Sequence, residues 1–155
     1  MPPRNLGEKK SLILDDGEGV DQQGYILTDG TNGGEVKKQT DHTGSALGVN
    51  YFSSMNADDT EVRTGVPIPV IHDGYAMVLA DYGNNYDQGD PVYISDATNN
   101  NSGVGAIATN VANEGSGSDG TKIGNVVPGA SKDLSGESEI DLIQVDLTSN
   151  LGDSA

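Results

Sequence analysis

The sequence predicts an all-β fold, and three observations near its centre carry that expectation. Apolar residues take alternate positions at Val66, Ile68 and Val70, and again at Tyr75, Met77 and Leu79, which is the period of a strand with one dry face. Asp73-Gly74 lies between the two runs. That dipeptide supplies the positive φ angles of a two-residue turn whose twist matches its flanking strands, so a hairpin is expected there. After a polar stretch from Asp81 to Asp87, Gly89-Asp90-Pro91 turns the chain into a third short strand, Val92-Tyr93-Ile94. Pro67 and Pro69 lack the N–H that a central ladder uses, which places the first strand of the hairpin at a sheet edge and makes the second the core strand.

In chain order, residues 1–20 read as an extended N-terminal arm. Pro2-Pro3 keeps its start extended. Arg4, Lys9 and Lys10 are three of the eight basic residues in the chain, and the short apolar run Leu12-Ile13-Leu14 follows them. This is the basic-plus-apolar patch expected to bind a partner. Asp15-Asp16-Gly17-Glu18-Gly19 breaks the chain, and one β-rich domain is expected over residues 21–148. Its first strand is 24–28, closed by the turn residues of 29–34, followed by a polar strand at 36–40 and a buried one at 46–52. An acidic loop at 55–61 leads into the hairpin. Residues 101–110 echo 32–41, and 123–127 echo 47–51, so the domain reads either as one unit or as two related β units, 21–80 and 85–148. Ile143, Val145 and Leu147 alternate with Gln144 and Asp146 as the final strand, and 149–155 is a loose polar tail.

Apolar residues make up 34% of the chain, with one Phe and no Trp. The core is therefore thin, and a chain that buries little surface alone recovers it across a subunit interface, so a homotrimer is expected. The net charge of −16 comes from 24 acidic and 8 basic residues. Phosphate contacts need Lys and Arg, so this balance argues against nucleic acid as a direct partner and against an anionic membrane. In dilute buffer so much like charge repels itself, whereas at molar salt the screening length falls to roughly 3 Å. The composition reads as adaptation to high salt. With no cysteine, disulfides and thiolate metal sites are excluded. No run reaches the length of an apolar membrane span, and the first residues lack the apolar core of a secretory leader.

Several motifs invite a functional reading. Gly115-Ser-Gly117-Ser-Asp-Gly120 fits G-x-G-x-x-G, and residues 103–108 fit its Ala-ended form, but a strand pattern follows where a phosphate-binding helix is required. His42 lies beside Asp41 and His72 beside Asp73, the pairing of a base and its orienting group, though both sit at turn signals and no nucleophile elbow accompanies them. Carboxylates cluster at Asp15, Asp16 and Glu18, at Asp58, Asp59 and Glu61, and at Asp81, Asp87 and Asp90. Oxygen ligands of this kind suit Ca or Mg, and the third cluster leads because Asn84 and Asn85 lie near it. Asn100-Asn101-Ser102 is a glycosylation sequon. No organic cofactor and no catalytic activity are expected.

Gln88-Gly-Asp-Pro-Val-Tyr-Ile94, the Ile123-Gly124 strand after a Gly-rich loop, and the closing strand 142–147 resemble the capsid decoration, or cement, proteins of tailed viruses. The resemblance covers residues 85–148. It implies a compact small β-barrel of the kind called a β-tulip, trimers on the outer capsid surface, and a terminal arm that reaches the major capsid protein. The acidity would make this a version from a virus of halophilic archaea. The long first half, 12–80, departs from the simpler members of that family. Two other classes remain open from the residues: an extracellular cation-dependent adhesion or carbohydrate-binding β module, and a carboxylate-based hydrolase using a pair such as Asp58 and Asp59.

Overall fold

The computed structural model describes residues 8–15, 19–51, 65–115 and 117–147. Among them are eleven strands and no helix: β1 (Glu8–Leu14), β2 (Ile26–Asp29), β3 (Glu35–Lys38), β4 (Gly48–Asn50), β5 (Pro67–Ala80), β6 (Asn85–Tyr86), β7 (Pro91–Ile94), β8 (Ala108–Thr109), β9 (Lys122–Val126), β10 (Lys132–Asp133) and β11 (Asp141–Leu147). Nine form one sheet in the order β1-β3-β2-β4-β5-β11-β9-β7-β8, and both ends of that sheet return to β5. Two five-stranded rings therefore share one strand. The first, β1-β3-β2-β4-β5, is a closed barrel, and the second closes through the parallel pairing of Ala80 with Ala108. A small β-barrel domain, all-β throughout, is what the sequence led one to expect.

The expected hairpin at Asp73-Gly74 does not form. Residues 67–80 are one continuous strand, and Gly74, at φ +85°, bends it instead of reversing it. Pairing passes from Glu8↔Asp73 to Lys9↔Ile71, so His72 is an extra, bulged residue, and a bulge both bends a strand and increases its twist. The reason is long-range. The first half of β5 is held by β1 and β4 and its second half by β11 along the whole run from Asp141↔Ala80 to Leu147↔Gly74, and these ladders override the local turn preference.

The strand is not at an edge either. Pro69 O accepts the N–H of Tyr51 from the β4 side, and in an antiparallel ladder the nitrogen and carbonyl of one residue face the same way. Pro67 and Pro69 thus direct their nitrogens past the last β4 pair, Asn50↔Val70, and leave the β1 ladder intact. In the second half, the buried residues are Ala76, Val78 and Ala80 together with Leu79, while Tyr75 and Met77 are only half-buried. Cross-strand pairing of Val78 with Ile143 and of Ala76 with Val145 sets that inward face.

The arm boundary moves as well. Residues 8–14 are β1, parallel to β3 and antiparallel to β5. Leu14 is 1% exposed in the core and Leu12 packs beside it, leaving Ile13, at 44%, as the exposed member of the run. Leu14 is therefore not available to a partner. Lys9 and Lys10 lie on β1 opposite Ile71 and Val70, and Arg4 lies outside the described residues, as does the tail 149–155.

Apolar side chains divide between two cores. One lies inside the barrel, with Leu14, Leu27, Val36, Leu47, Ile68 and Val70; the other fills the second ring with Val78, Val92, Ile94, Ile123, Ile143 and Val145. Ile26, Val49 and Ile71, on the outer face of the barrel, belong to the second core, so the two rings are packed together through strands buried on both faces. The division between halves falls at the β5 bend, not after Ala80. A short ribbon of β6 and β10 covers the second ring and buries Tyr86 and Leu134.

Candidate functional site

Of the carboxylates singled out in the sequence, Asp15, Asp81 and Asp90 are spent on their own chain. Asp81 ends β5 with no exposed surface. Its Oδ2 accepts the N–H of Asn101 at 2.9 Å and its Oδ1 that of Ser102 at 3.0 Å, so one side chain fixes the loop that leads into β8. Asp90 Oδ2 accepts the N–H of Asp87 at 3.0 Å and the side-chain amide of Asn110 at 3.2 Å, closing the turn into β7. Asp87 is exposed. Asp81, Asp87 and Asp90 do not converge, and among the described residues no three His, Cys, Asp or Glu are placed to hold a metal ion. In place of the expected Ca or Mg centre stand two separate locks: Asp90 closes a local turn, its short carboxylate reaching the N–H three residues back, and Asp81 ties down a loop distant in sequence.

Asp15 works in the same way, accepting from both the N–H and the hydroxyl of Thr31. Asp16, Glu18, Asp58, Asp59 and Glu61 lie outside the described residues. Asp41 accepts the hydroxyl and N–H of Thr43, and these two bonds hold its carboxyl below the usual range. It does not orient His42, whose Nδ1 instead stands 3.9 Å from Asp96 Oδ2. His72 is the bulged residue of β5.

The densest polar arrangement, which sequence reading missed, lies between the β7–β8 and β8–β9 loops. Glu114 Oε1 accepts the Ser95 hydroxyl at 2.9 Å and the N–H of Asp96 at 2.8 Å. Asp96 in turn accepts the N–H of Thr98 and the side chain of Asn99. Burial, with Asp81 and Asp96 adding repulsion, pushes the Glu114 carboxyl up. The signal available in the sequence was Asp96 followed by Thr98 and Asn99, an Asx-turn pattern at a strand end. Tyr86, fully buried, donates to the backbone carbonyl of Asp81 at 2.7 Å, and burial raises its phenol well above the ordinary value. Tyr25 donates to Asp21 at 2.7 Å and lies beneath Lys38 Nζ, 4.7 Å from the ring centroid. Burial first, then Asp21, pushes its phenol to about 12.

Both Gly-rich motifs are loops that run into strands, β8 and β9. The sequon amide is tied down: Asn100 Nδ2 donates to Ser95 Oγ and Val104 O, and its Oδ1 accepts the N–H of Gly103 at 2.7 Å. No helix among the described residues is long and apolar enough to cross a membrane. Comparisons with family models, with curated proteins and with solved structures found no match.

Proposed function

We propose that this chain is a structural capsid decoration protein, docking on the outside of a viral capsid lattice through contacts with the major capsid protein and stabilising it at high salt. The observation that carries the reading is the combination of a doubly closed β body, in which both ends of the main sheet return to β5, with a net charge of −16. A rigid, highly hydrated body with its strand ends paired internally suits a protein that must coat a particle without polymerising edge to edge. The segment of the resemblance also coincides with structural units: Gln88–Ile94 forms the turn and strand β7, and 142–147 lies within β11.

Two corrections reshape the proposal. The strand run expected at a sheet edge is flanked within the chain by β1 and β4, so it offers no open edge for a trimer to cover. The homotrimer is therefore proposed to form on the lattice, with Ile13 and Val111 as the exposed large apolar side chains at hand among the described residues. The anchoring segment contracts to residues 1–7, with Arg4, together with the strand face of β1. The reading as a cation-dependent module loses support at Asp81 and Asp90, whose carboxylates accept backbone N–H groups of their own chain. Immunogold labelling of intact, salt-purified particles with an antibody against this chain tests the function. Labelling of the outer surface is expected; a chain absent from particles, or present only after they are opened, overturns it.

A further inference from the structure

An asparagine side chain can close a five-membered ring with the backbone nitrogen of the next residue, and a glycine there offers the least steric resistance. Asn32 is the one asparagine in the chain that precedes a glycine. What the fold does with the following N–H decides which asparagines are open to this chemistry. After Asn99 that N–H is bonded to Asp96 O at 2.8 Å, after Asn125 to Asp90 O at 2.9 Å, and after Asn100 and Asn101 to the two oxygens of Asp81 at 2.9 and 3.0 Å. The Asp-Gly pairs at 29–30 and 119–120, which would cyclise by losing water, have their glycine N–H groups bonded to Glu35 O and Ala112 O. The Gly33 N–H has no acceptor among the described residues. Asn32 and Gly33 are both exposed, and an added Cβ at Gly33 would meet nothing within 4 Å, so there is room for the ring. The same turn seats the strand that closes the barrel. Glu35 Oε1 accepts the N–H of Asn32 at 3.0 Å and its side-chain amide at 3.1 Å, Asn32 O accepts the N–H of Glu35 at 3.1 Å, and Gly34 O accepts the N–H of Ile13 at 3.0 Å. The register between β1 and β3 consists of Ile13↔Glu35 and Leu14↔Val36, so the Gly34 carbonyl belongs to a short seam.

We propose that Asn32-Gly33 is a self-modification site, at which the chain converts its own asparagine to aspartate and β-linked isoaspartate and thereby loosens the β1–β3 closure of the barrel. The Gly33 nitrogen attacks Asn32 Cγ, the Cγ–Nδ2 bond breaks, and Nδ2 leaves as ammonia with the proton from the Gly33 N–H. Water then opens the cyclic imide. Attack at Cγ returns the normal main chain with an aspartate; attack at the Asn32 carbonyl carbon leaves the main chain running through the side-chain carbon. No oxidant, reductant or second substrate is required. The bond from Nδ2 to Glu35 is exposed, so water competes for it and the tether slows the reaction without blocking it. Either product replaces the amide donor with a carboxylate beside that of Glu35, and two carboxylates this close repel. The β-linked product also adds one carbon to the main chain of the turn, which displaces the Gly34 carbonyl from the Ile13 N–H.

The test is to age the full chain in molar salt at mildly alkaline pH and to follow each asparagine by peptide mapping, with isoaspartyl methyltransferase labelling to count the β-linked product. Conversion at Asn32 is expected several-fold faster than anywhere in 99–101, with β-linked product present. Gly33 lies outside the left-handed region and has open space around it, so Gly33→Ala keeps the turn, and conversion in it is expected to slow several-fold. Amide hydrogen exchange of the aged chain and of Asn32→Asp then reads the seam: protection of the Ile13 N–H is expected to fall several-fold, while Val145 in β11 reports global stability and stays flat. Conversion at Asn32 no faster than at 99–101, or equally fast in Gly33→Ala, would overturn the site. Ile13 protection unchanged after conversion, or falling in parallel with Val145, would overturn its effect on the barrel.

Discussion

Replacing Asp81 separates a structural carboxylate from a metal ligand. In Asp81→Ala the N–H groups of Asn101 and Ser102 lose their acceptors, two bonds of 2.9 and 3.0 Å to a side chain with no exposed surface. Each unsatisfied buried donor costs about 1–3 kcal/mol. Asn101 is exposed and Ser102 half-buried, so water recovers part of this and the net loss is about 2–4 kcal/mol. For a chain near this length a loss of that size lowers Tm by roughly 6–12 °C. Asp81→Asn keeps one acceptor and turns an NH2 toward the second donor, so it falls between the wild type and Ala. Urea unfolding at fixed molar salt, with and without millimolar calcium, is the assay. The expected result is the loss above, unchanged by calcium. A loss below about 0.5 kcal/mol, the range of an ordinary surface substitution, or a calcium stabilisation that disappears with Asp81, would refute the turn-lock reasoning.

Gly124→Ala is also expected to destabilise the fold, because an added Cβ meets the carbonyl oxygen of Asp146 on the paired strand β11; overpacking of this kind costs about 1–3 kcal/mol, measured by thermal unfolding. Lys132 bonds both Asp141 and the carbonyl of Leu142 at 2.9 Å, yet it is a surface pair, so Lys132→Met loses no more than about 1 kcal/mol. Lys132 holds the Asp141 carboxyl below its ordinary value of 3.8, which makes its contribution present above that value and lost as pH falls through the folded one; the difference between Lys132→Met and wild type should therefore shrink, in an acid melting series, to the part carried by the bond to the Leu142 carbonyl. Removing residues 1–14 takes out β1 and opens the barrel between β3 and β5, so cooperative unfolding should be lost by circular dichroism, while removing residues 1–7 leaves it intact and weakens only particle binding.

Much of the strand pattern was legible. Ile143, Val145 and Leu147 are buried while Gln144 is half-buried and Asp146 exposed, as alternation required, and β2, β3, β7 and β9 lie within or overlap their expected runs. What the sequence concealed was long-range. Asp73-Gly74 carries a strong local turn preference, and only the β1, β4 and β11 ladders on either side explain why the chain bends there without reversing. Leu12-Ile13-Leu14 is apolar whether it docks on a partner or completes a barrel, and local composition does not separate the two. Tyr86 was hidden in a polar stretch because its burial depends on the two-residue ribbon with β10. The carboxylate clusters misled for a related reason: in a chain with 24 acidic residues, neighbours in sequence arise by composition, and turn geometry then directs them to different backbone groups.

The most direct test of the account is the particle-bound fraction of the protein as salt is lowered, with melting temperature followed in parallel. Going from molar to about 0.1 M salt lengthens the screening distance from roughly 3 Å to about 10 Å. The −16 charge of the chain then acts against neighbouring copies and against an acidic lattice, whereas attraction through the few basic residues near its start strengthens only slightly. The account predicts release from the particle before the domain melts, with magnesium restoring binding at far lower concentration than sodium. Binding and melting that both stay flat down to about 0.1 M sodium chloride, where the screening length is already about 10 Å, would contradict it.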